Sequence, residues 1–325
     1  MAELARKAKV LFVAFGGTIS MTRDSQTSRS VPNLSAAELL EQLSLPKQLE
    51  VCCIDAPYSL RVVRQPVDLL AMARFLQSQI LDDLAGVVVT HGTDALEDIV
   101  YFLDEVCSSC VPVIFTGAMR PSWAIDSDGV RNLENAFRLA LVATAEDGVL
   151  VTMHGEIFEA WSVYKADTVA RDAFAARRGA ASGRIFEDGV ELPRRRAPRT
   201  RFGVLPTTLP MSVPILVMGV GDDGMLLDRI EADALQGLVI AGMGAGSVPP
   251  LTREKMVLLA QKGIPVVLCS SVPSGPTAAE RYYPGDYDEW RAAGVGIEDQ
   301  LNARKTRIRL LLSLGLGLPY TPFGG

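Results

Sequence analysis

The chain has 325 residues, of which 48% are hydrophobic, so it can bury a substantial core and is long enough for two domains or one large one. Its 32 basic and 38 acidic residues give a net charge of −6, which offers no general attraction to nucleic acid or to anionic lipid. This composition favours a globular protein that acts on a small molecule. We expect neither a nucleic-acid partner nor a membrane partner.

The first apolar segment predicts a buried strand that ends in a tight turn. Residues 11–15 are apolar, and Gly16, Gly17 and Thr18 follow directly. The basic residues before this segment mimic a secretory signal, but cleavage at the turn would remove the strand. No run of about 20 apolar residues suggests a membrane span. The five cysteines, an odd number, are consistent with a reducing compartment, and we predict a cytoplasmic protein.

A second strand, turn and helix follow the same plan. β-Branched residues at 87–89 favour a strand, Gly92 favours a sharp turn, and apolar side chains recur at helical spacing over 96–103. Thr93 and Asp94 are predicted to lie where the helix begins and to cap its amides. Two strands that each end in a Gly-Thr turn can bring their hydroxyls together at one carboxyl edge, the usual ligand position in open α/β sheets.

Four motifs together resemble the bacterial L-asparaginase/glutaminase family. They are GGTI at 16–19, HGTDAL at 91–96, TGAMRP at 116–121 with DG at 128–129, and Lys165 after Tyr164. Their order and spacing follow that family, and the tail of the chain resembles its C-terminal domain, so the resemblance covers nearly the whole sequence. It implies a two-domain, asparaginase-like α/β fold. A larger N-terminal mixed sheet with flanking helices would precede a smaller C-terminal parallel sheet.

The resemblance also implies an amidohydrolase with a threonine nucleophile. Thr18 would attack the side-chain amide of asparagine or a related small amide, forming an acyl-enzyme and releasing ammonia. Thr93 and Lys165 would activate water or relay the proton, and Asp94 would hold the substrate's α-amino group. Gly92 is an expected substrate-binding position. The family further implies a homo-oligomer, either a dimer or a tetramer.

Three loops depart from the family pattern: residues 20–33, residues 55–59, and residues 280–283, where family members often have an acid and this chain has Glu280, Tyr282 and Tyr283. Residues 20–33 are polar and without apolar periodicity, so they are predicted to form a surface loop. They lack the tyrosine that the family places there, and Ser30, Tyr58 or a water would have to replace it. In the loop at 55–59, only Ser59 is carried over as a substrate-binding position. Retained chemistry with altered recognition predicts a substrate shifted from asparagine.

Two other kinds of site, for zinc and for a dinucleotide, have only weak support in the sequence. Cys107-x-x-Cys110 and the Cys52-Cys53 pair suggest zinc, but adjacent residues of a strand point to opposite faces, so four thiolates are not expected to converge. The glycine-rich stretch at 242–246 suggests a dinucleotide site, but the helix and the ribose-binding acid that such a site needs are not in place. We therefore expect no metal and no cofactor.

The main alternative to catalysis is a non-catalytic small-ligand-binding protein on an asparaginase scaffold. Such a protein would have kept the fold and lost the loop tyrosine. However, a protein that only binds a ligand has no need of Lys165. Retention of Thr18, Thr93, Asp94 and Lys165 together therefore favours an enzyme.

A proline-rich, basic stretch divides the chain. Residues 191–214 contain five prolines, and the run Arg194-Arg195-Arg196 has no interleaved aromatic residues, which favours a solvated linker over a nucleic-acid contact. We predict an N-terminal catalytic domain at 1–190, a linker at 191–213 and a C-terminal α/β domain at 214–325.

Limited proteolysis tests this boundary. Trypsin is expected to cut first between Arg194 and Arg201, because exposed linkers with basic residues are accessible to the protease. Two protected fragments, corresponding to the two predicted domains, should accumulate on a denaturing gel. A single protected core without a cut in this segment would contradict the boundary.

Overall fold

The structure, a computed structural model, describes most of the chain, namely residues 7–24, 26–27, 29–81, 83–107, 110–193, 201–230, 234–280, 284–285 and 287–324. The chain divides into two compact units. The first holds Met1–Arg64 and Ala71–Arg196, and the second holds Gln65–Leu70 and Ala197–Gly325. Residues 194–200 of the predicted linker lie outside the described residues, so the predicted domain boundaries stay a prediction.

The first unit is built on a mixed sheet that has eight strands within the described residues. In chain order, the strands of this unit are β1 (Ala8–Ala14), β2 (Met21–Arg23), β3 (Ser30–Pro32), β4 (Leu49–Asp55), β5 (Gly86–Thr90), β6 (Val113–Thr116), β7 (Val149–Met153), β8 (Glu156–Glu159), β9 (Val163–Lys165), β10 (Phe174–Ala176), β11 (Gly183–Ile185) and β12 (Val190–Glu191). The order across the sheet is β12-β11-β8-β7-β6-β5-β1-β4. Neighbours from β4 to β7 are parallel, and the others are antiparallel. The predicted mixed sheet is confirmed.

Helices cover both faces of this sheet. They are α1 (Ala36–Leu40), α2 (Pro66–Gln79), α3 (Leu96–Val106) and α4 (Gly129–Ala140), with one-turn 3-10 helices at Thr18–Ser20, Tyr58–Leu60 and Ala145–Asp147. Side chains alternate along a strand, so Phe12 and Phe15 point to opposite faces of β1 and its continuation. Phe12 meets Phe137 of α4 edge-on at 5.8 Å, and Phe15 meets Phe75 of α2 in the same way at 5.8 Å.

The central strands bring three turns to one edge of the sheet. All five residues of β5 are buried, as the β-branched run predicted, and β1 is buried from Val10 onward. Ala14 of β1 lies beside Thr90 of β5, which in turn lies beside Thr116 of β6. Because these three strands are parallel and in register, the turns that follow them leave the sheet side by side.

The second unit has a smaller sheet, as predicted. Its strands are β13 (Ile215–Val217), β14 (Leu238–Gly242), β15 (Val266–Ser270) and β16 (Gly296–Ile297), which are parallel and hydrogen-bonded in chain order within the described residues. Its helices are α5 (Met225–Arg229), α6 (Pro250–Gln261), α7 (Asp288–Ala292) and α8 (Ala303–Gly315). Val/Ile-rich, fully buried β14 and β15 are typical of a parallel sheet covered on both faces.

The predicted surface loop at 20–33 is wrong in one respect, because this segment contains an antiparallel ribbon. β2 and β3 pair so that Met21 faces Pro32 and Arg23 faces Ser30. The ribbon is anchored where the Ser122 hydroxyl donates to the Met21 carbonyl at 2.7 Å. Short polar strands lack the apolar alternation that identifies a strand in a sequence, which explains the error.

The glycine-rich stretch at 242–246 forms a tight turn after β14. A Cβ on Gly242 would lie 2.6 Å from the carbonyl oxygen of Gly246, so the backbone of this turn is closely packed on itself. Across the described ranges, no group of three or more His, Cys, Asp or Glu side chains is placed to hold a metal ion. No helix in the described part of the chain is long and apolar enough to span a bilayer.

Candidate active site

Two glycine turns touch at the carboxyl edge of the large sheet. Gly17, after β1, has φ 89° and ψ −175°, a conformation that is essentially restricted to glycine. A Cβ on Gly17 would lie 2.6 Å from the backbone nitrogen of Gly92, in the turn after β5, so the two backbones are in direct contact. Thr18 and Thr93 each follow one of these glycines. Both threonines therefore lie at the same edge of the sheet.

The turn after β6 packs against the second of these turns. A Cβ on Gly117 would lie 2.7 Å from the carbonyl oxygen of His91. The Asp128 carboxylate accepts hydrogen bonds from the backbone N–H groups of Met119, at 3.1 Å, and of Arg120, at 2.9 Å. Hydrogen bonds to an ionised acceptor are among the stronger ones in proteins, so Asp128 fixes this third turn.

Asn132, on α4, braces the ends of two strands. Its side-chain nitrogen donates to the Gly117 carbonyl and to the Asp128 carboxylate, each at 3.0 Å. Its side-chain oxygen accepts from the backbone N–H of His154, just beyond β7, at 3.0 Å. Asn132 is buried, and a buried polar side chain is stable only when it is hydrogen-bonded. These bonds therefore favour one geometry of the third turn.

Lys165 joins the second turn through its ammonium group. It is the last residue of β9, and its Nζ donates to Thr93 Oγ1 at 2.9 Å and to Asp94 Oδ1 at 2.8 Å. The structure thus brings together three of the predicted catalytic residues through direct hydrogen bonds. Thr18 joins them through the backbone contact between Gly17 and Gly92.

The helix after this turn begins later than the sequence predicted. α3 starts at Leu96, and its N-cap residue is Ala95, which has no side-chain capping bond. The prediction that the helix begins at Thr93 and Asp94 is therefore wrong, since both residues precede the N-cap. Both side chains accept hydrogen bonds from Lys165 Nζ.

The members of this group differ in exposure. Thr93 is buried, the Lys165 side chain is 16% exposed and the Asp94 side chain is 97% exposed. An ion pair with one partner this exposed contributes about 0–1 kcal/mol to stability, so the Lys165–Asp94 pair is weak support for the fold. Most of the Asp94 carboxylate surface faces solvent, where a ligand can reach it.

His91 is buried beneath the second turn. Its Nδ1 lies 2.9 Å from the Gly92 carbonyl oxygen, and because a carbonyl only accepts, Nδ1 carries the proton and donates it. Its ring lies 6.0 Å from that of Phe15. Burial lowers the pKa of His91, and the weaker effect of the hydrogen bond to Gly92 opposes this change, so the ring is neutral at neutral pH. Neutral His91 holds the peptide that leads into Thr93.

The predicted substrate-binding residue Ser59 lies in another element. It is exposed in the 3-10 helix Tyr58–Leu60, and the hydrogen bonds of Lys165 described above do not include it. The same loop contains Arg61, whose Nε donates to the Ala56 carbonyl at 3.1 Å. A Cβ on Gly16 would lie 3.7 Å from Arg61 Cδ, so this loop borders the first turn. The role of Ser59 stays a prediction.

Sequence reasoning missed Glu97. This residue is buried in the first turn of α3, and its carboxylate accepts the backbone N–H of Lys165 at 3.1 Å. The signal was present in the sequence as an acid inside the apolar spacing of Leu96 and Val100. Asn132 gave no such signal, because a polar residue in an amphipathic helix is ordinarily assigned to the exposed face.

The arrangement contains the groups that acyl transfer needs. Lys165 takes the position that a histidine base occupies in a Ser-His-Asp triad. Two threonine hydroxyls lie at one edge of the sheet, an amine contacts one of them, and a carboxylate contacts the amine. Tight turns supply backbone N–H groups near the same edge. A nucleophile, a base, an acid that orients the base and donors for an oxyanion together define the class of nucleophilic hydrolases.

Known proteins are similar to this chain over both units. The family description "Asparaginase, N-terminal" matches residues 9–198, and "Glutaminase/Asparaginase C-terminal domain" matches residues 212–321. L-asparaginase 2 of Bacillus subtilis is 30% identical over 316 residues, which cover 94% of this chain and 82% of the relative. A probable L-asparaginase of Deinococcus radiodurans is 37% identical over 251 residues, 74% of this chain and 75% of the relative.

A solved structure is also similar, that of a probable cytoplasmic L-asparaginase from Campylobacter jejuni. Its TM-score is 0.77 at 28% sequence identity, and the match covers 95% of each chain. The chain therefore belongs to the asparaginase family. The resemblance read from the sequence motifs and the asparaginase-like fold are both confirmed.

Replacing Gly17 with alanine is expected to impair the site more than it impairs the fold. The new Cβ would overlap the Gly92 backbone and strain a conformation that costs other residues about 1–3 kcal/mol. The turns must then separate, and a shift of about 1 Å between reacting groups can cost about a hundredfold in rate. Ammonia release at saturating amide, with thermal unfolding measured alongside, checks this.

Gly16→Ala is the matched control. Gly16 also has a positive φ, of 80°, but the nearest atoms to its Cβ are side-chain atoms at 3.5 and 3.7 Å. This variant should lose stability with a much smaller loss of rate. Equal losses of rate in the two alanine variants would show that the backbone contact at Gly17 is unimportant.

Acid should destabilise the protein through His91. Its pKa in the folded state is lowered, so stability is fully present above the unfolded value of about 6.5 and falls as pH drops below it, by up to about 1.4 kcal/mol per pH unit. Urea unfolding at about pH 7.5 and about pH 5.5 measures this fall. His91→Gln should show a shallower fall, since an amide does not titrate. His154→Gln, at an exposed position, is the control and should keep the steep fall.

Proposed function

We propose that this member of the asparaginase family hydrolyses the side-chain amide of L-asparagine, or of a related small amide, to the acid and ammonia. The observation that carries the proposal is the hydrogen bond from Lys165 Nζ to Thr93 Oγ1, at 2.9 Å, in the turn that contacts the Gly17-Thr18 turn. Family membership supports an asparaginase-like amidohydrolase, and relatives are named L-asparaginase and glutaminase-asparaginase.

In this proposal Thr18 is the nucleophile. Its hydroxyl oxygen bonds to the amide carbon, its proton leaves to a basic group of the site, and the carbonyl electrons move to oxygen. The tetrahedral intermediate collapses, the carbon–nitrogen bond breaks, and the nitrogen takes a proton and departs as ammonia. The product of this half-reaction is an ester on Thr18, and Thr18 lies at the half-buried start of a one-turn 3-10 helix, within reach of solvent.

Thr93 and Lys165 then act on the water that hydrolyses this ester. Thr93 Oγ1 lies 2.9 Å from Lys165 Nζ, so Lys165, once it is a neutral amine, can take the proton that water passes to the Thr93 hydroxyl. Water adds to the ester carbon, the carbon–oxygen bond to Thr18 breaks, and Thr18 recovers a proton as the acid leaves. A hydroxyl activated by an amine follows the logic of a catalytic triad with lysine in place of histidine.

Asp94 and the turns complete the site. The Asp94 carboxylate is exposed and already binds one ammonium group, so it is suited to hold the α-amino group of a substrate. Backbone N–H groups in the glycine turns are the proposed oxyanion donors. Asp128 and Asn132 keep the third turn in place, and preorganised donors are what stabilise a developing oxyanion.

The substrate need not be asparagine itself. The segment 20–33 lacks the family's tyrosine, and its Ser30 is exposed in β3. Tyr58 is also exposed, in the loop that carries Ser59. These loops differ from the family pattern at positions that read the α-carboxylate and α-amine, whereas the lysine–threonine pair is intact. Altered loops with an intact lysine–threonine pair indicate a substrate that has the same reacting amide as asparagine but differs in the groups that the loops bind.

We propose a homo-oligomer, a dimer or a tetramer, in the cytoplasm. Ser247 is exposed in the turn after β14 and Glu280 is exposed in a later loop, as rim residues for a neighbour's site would be. The Arg291 guanidinium contacts Glu280 at 2.6 Å and lowers the pKa of that carboxyl. Tyr282 and Tyr283, which follow Glu280 in the sequence, lie outside the described residues. The Campylobacter relative is named cytoplasmic, whereas a Haemophilus influenzae relative is named periplasmic.

The comparisons give no support to a non-catalytic ligand-binding protein, and the structure adds a physical reason. A pure binder gains nothing from a lysine that donates to a buried threonine hydroxyl. In such a protein an ion pair between Lys165 and Asp94 would be sufficient, without the hydrogen bond to Thr93.

The decisive experiment is an ammonia-release screen with wild type and Thr18→Ala. The panel contains asparagine, glutamine, their D-forms and small N-substituted or peptidyl amides. Thr18→Ala should lose about a thousandfold or more in rate on the best substrate, because it removes the nucleophile of a cooperating set. Full activity in this variant would overturn the assignment of Thr18.

Thr18→Ser is the matched control, since it keeps a hydroxyl at the same position. It should retain measurable turnover and show the same preference among the amides as wild type. If no amide releases ammonia with wild type while one of them binds tightly, the proposed hydrolysis is wrong.

A further inference from the structure

The lysine of the site does not belong to the sheet that carries the threonines. Thr18 and Thr93 follow β1 and β5 of the large sheet, whereas Lys165 ends β9, which pairs with β10 in a separate two-stranded ribbon of the described residues. A base and a hydroxyl on different elements need a contact that fixes their separation. Without one, motion of the ribbon would move Nζ away from the hydroxyl.

The buried carboxylate of Glu97 makes such a contact. Its Oε2 accepts the backbone N–H of Lys165 at 3.1 Å, while Thr93 accepts the Nζ of the same lysine at 2.9 Å. The short segment 93–97 therefore binds Lys165 at both ends, at its backbone and at its ammonium. The position of Lys165 relative to Thr93 is therefore set by this one segment.

Glu97 is well placed to do this with little freedom of its own. It is 3% exposed, and its helix α3 is buried over almost its whole length, so packing restricts the rotamers of its side chain. An acid in the first turn of a helix is also favoured by the partial positive charge there. A carboxylate is also a stronger hydrogen-bond acceptor than a neutral group.

We propose that Glu97 is a positioning residue that sets the distance from Lys165 Nζ to Thr93 Oγ1. This inference rests on the proposed function, in which that pair activates water. In this proposal Glu97 acts through the backbone of Lys165 and takes no part in the bonds that form and break. Its loss should therefore lower kcat while substrate affinity is nearly unchanged.

Asp104 provides a matched control on the same helix. It is also buried in α3, and its Oδ1 accepts a strand backbone N–H, that of Val149, at 3.0 Å. Glu97→Ala and Asp104→Ala therefore remove the same kind of bond between helix and strand. The first bond leads to the site at the carboxyl edge of the sheet, and the second leads to the first residue of β7, at the opposite end of that strand.

The first measurement compares kcat and KM per folded protein in Glu97→Ala, Glu97→Gln and Asp104→Ala. Glu97→Ala should lose about ten- to a hundredfold in kcat, with KM changed by less than about threefold. Glu97→Gln should recover most of the loss, because its amide oxygen can accept the same N–H. Asp104→Ala should lose stability and keep kcat. Equal kcat losses in the two alanine variants would overturn the proposal.

The second measurement does not need turnover. Reductive methylation of Lys165, followed by peptide mass spectrometry, reports how well its amine is held by Thr93 and Asp94. Labelling should be severalfold faster in Glu97→Ala than in wild type or Asp104→Ala. Equal labelling of Lys165 in the two alanine variants would contradict the role of Glu97. If the wild-type protein releases no ammonia, the proposed function is wrong. The labelling rates would still show whether Glu97 positions Lys165.

Discussion

The backbone contact between Gly17 and Gly92 is the constraint on which the site depends. Two parallel strands leave the sheet about 5 Å apart, and the first turn can approach the second this closely only because residue 17 carries no side chain. The 2.6 Å separation from a Cβ on Gly17 shows how little room remains. Because this contact is between backbones, the positions of Thr18 and Thr93 are fixed by the sheet and depend little on loop packing.

Around this contact, successive layers hold the turns in place. His91 donates to the Gly92 carbonyl from below, and Asp128 with Asn132 holds the neighbouring turn at Gly117. These groups are buried, so each lost hydrogen bond would leave a polar atom unsatisfied at a cost of about 1–3 kcal/mol. The sheet edge thus behaves as a preorganised surface. The ribbon that carries Lys165 meets this surface at residues 93–97.

Much of this organisation could be predicted from the sequence. The buried strands at 11–15 and 87–89 follow from continuous apolar runs. The spacing of Ser35 and Glu38 predicts a capping box. The structure contains it, with the Glu38 backbone N–H donating to Ser35 Oγ and the Ser35 N–H donating to the Glu38 carboxylate. Local patterns carry such features because each depends on residues that are near one another in the chain.

Other features could not be predicted, because they depend on partners distant in sequence. The local sequence predicts Thr93 and Asp94 as helix caps, whereas their side-chain oxygens accept hydrogen bonds from Lys165, about 70 residues later. The ribbon β2–β3 is stabilised by its own cross-strand bonds and by Ser122, and its polar residues carry no apolar alternation. Glu97 can be buried because its carboxylate accepts the backbone N–H of Lys165, which is distant in sequence.

The most direct test of the account is to identify the hydroxyl that becomes acylated. Thr93→Val keeps Thr18 but removes the hydroxyl that Lys165 holds, so hydrolysis of the ester should slow and the acyl-enzyme should accumulate. Acid quenching with the best amide, followed by peptide mass spectrometry, locates the ester. The added acyl group is expected on Thr18. An ester on a peptide that lacks Thr18 would contradict it.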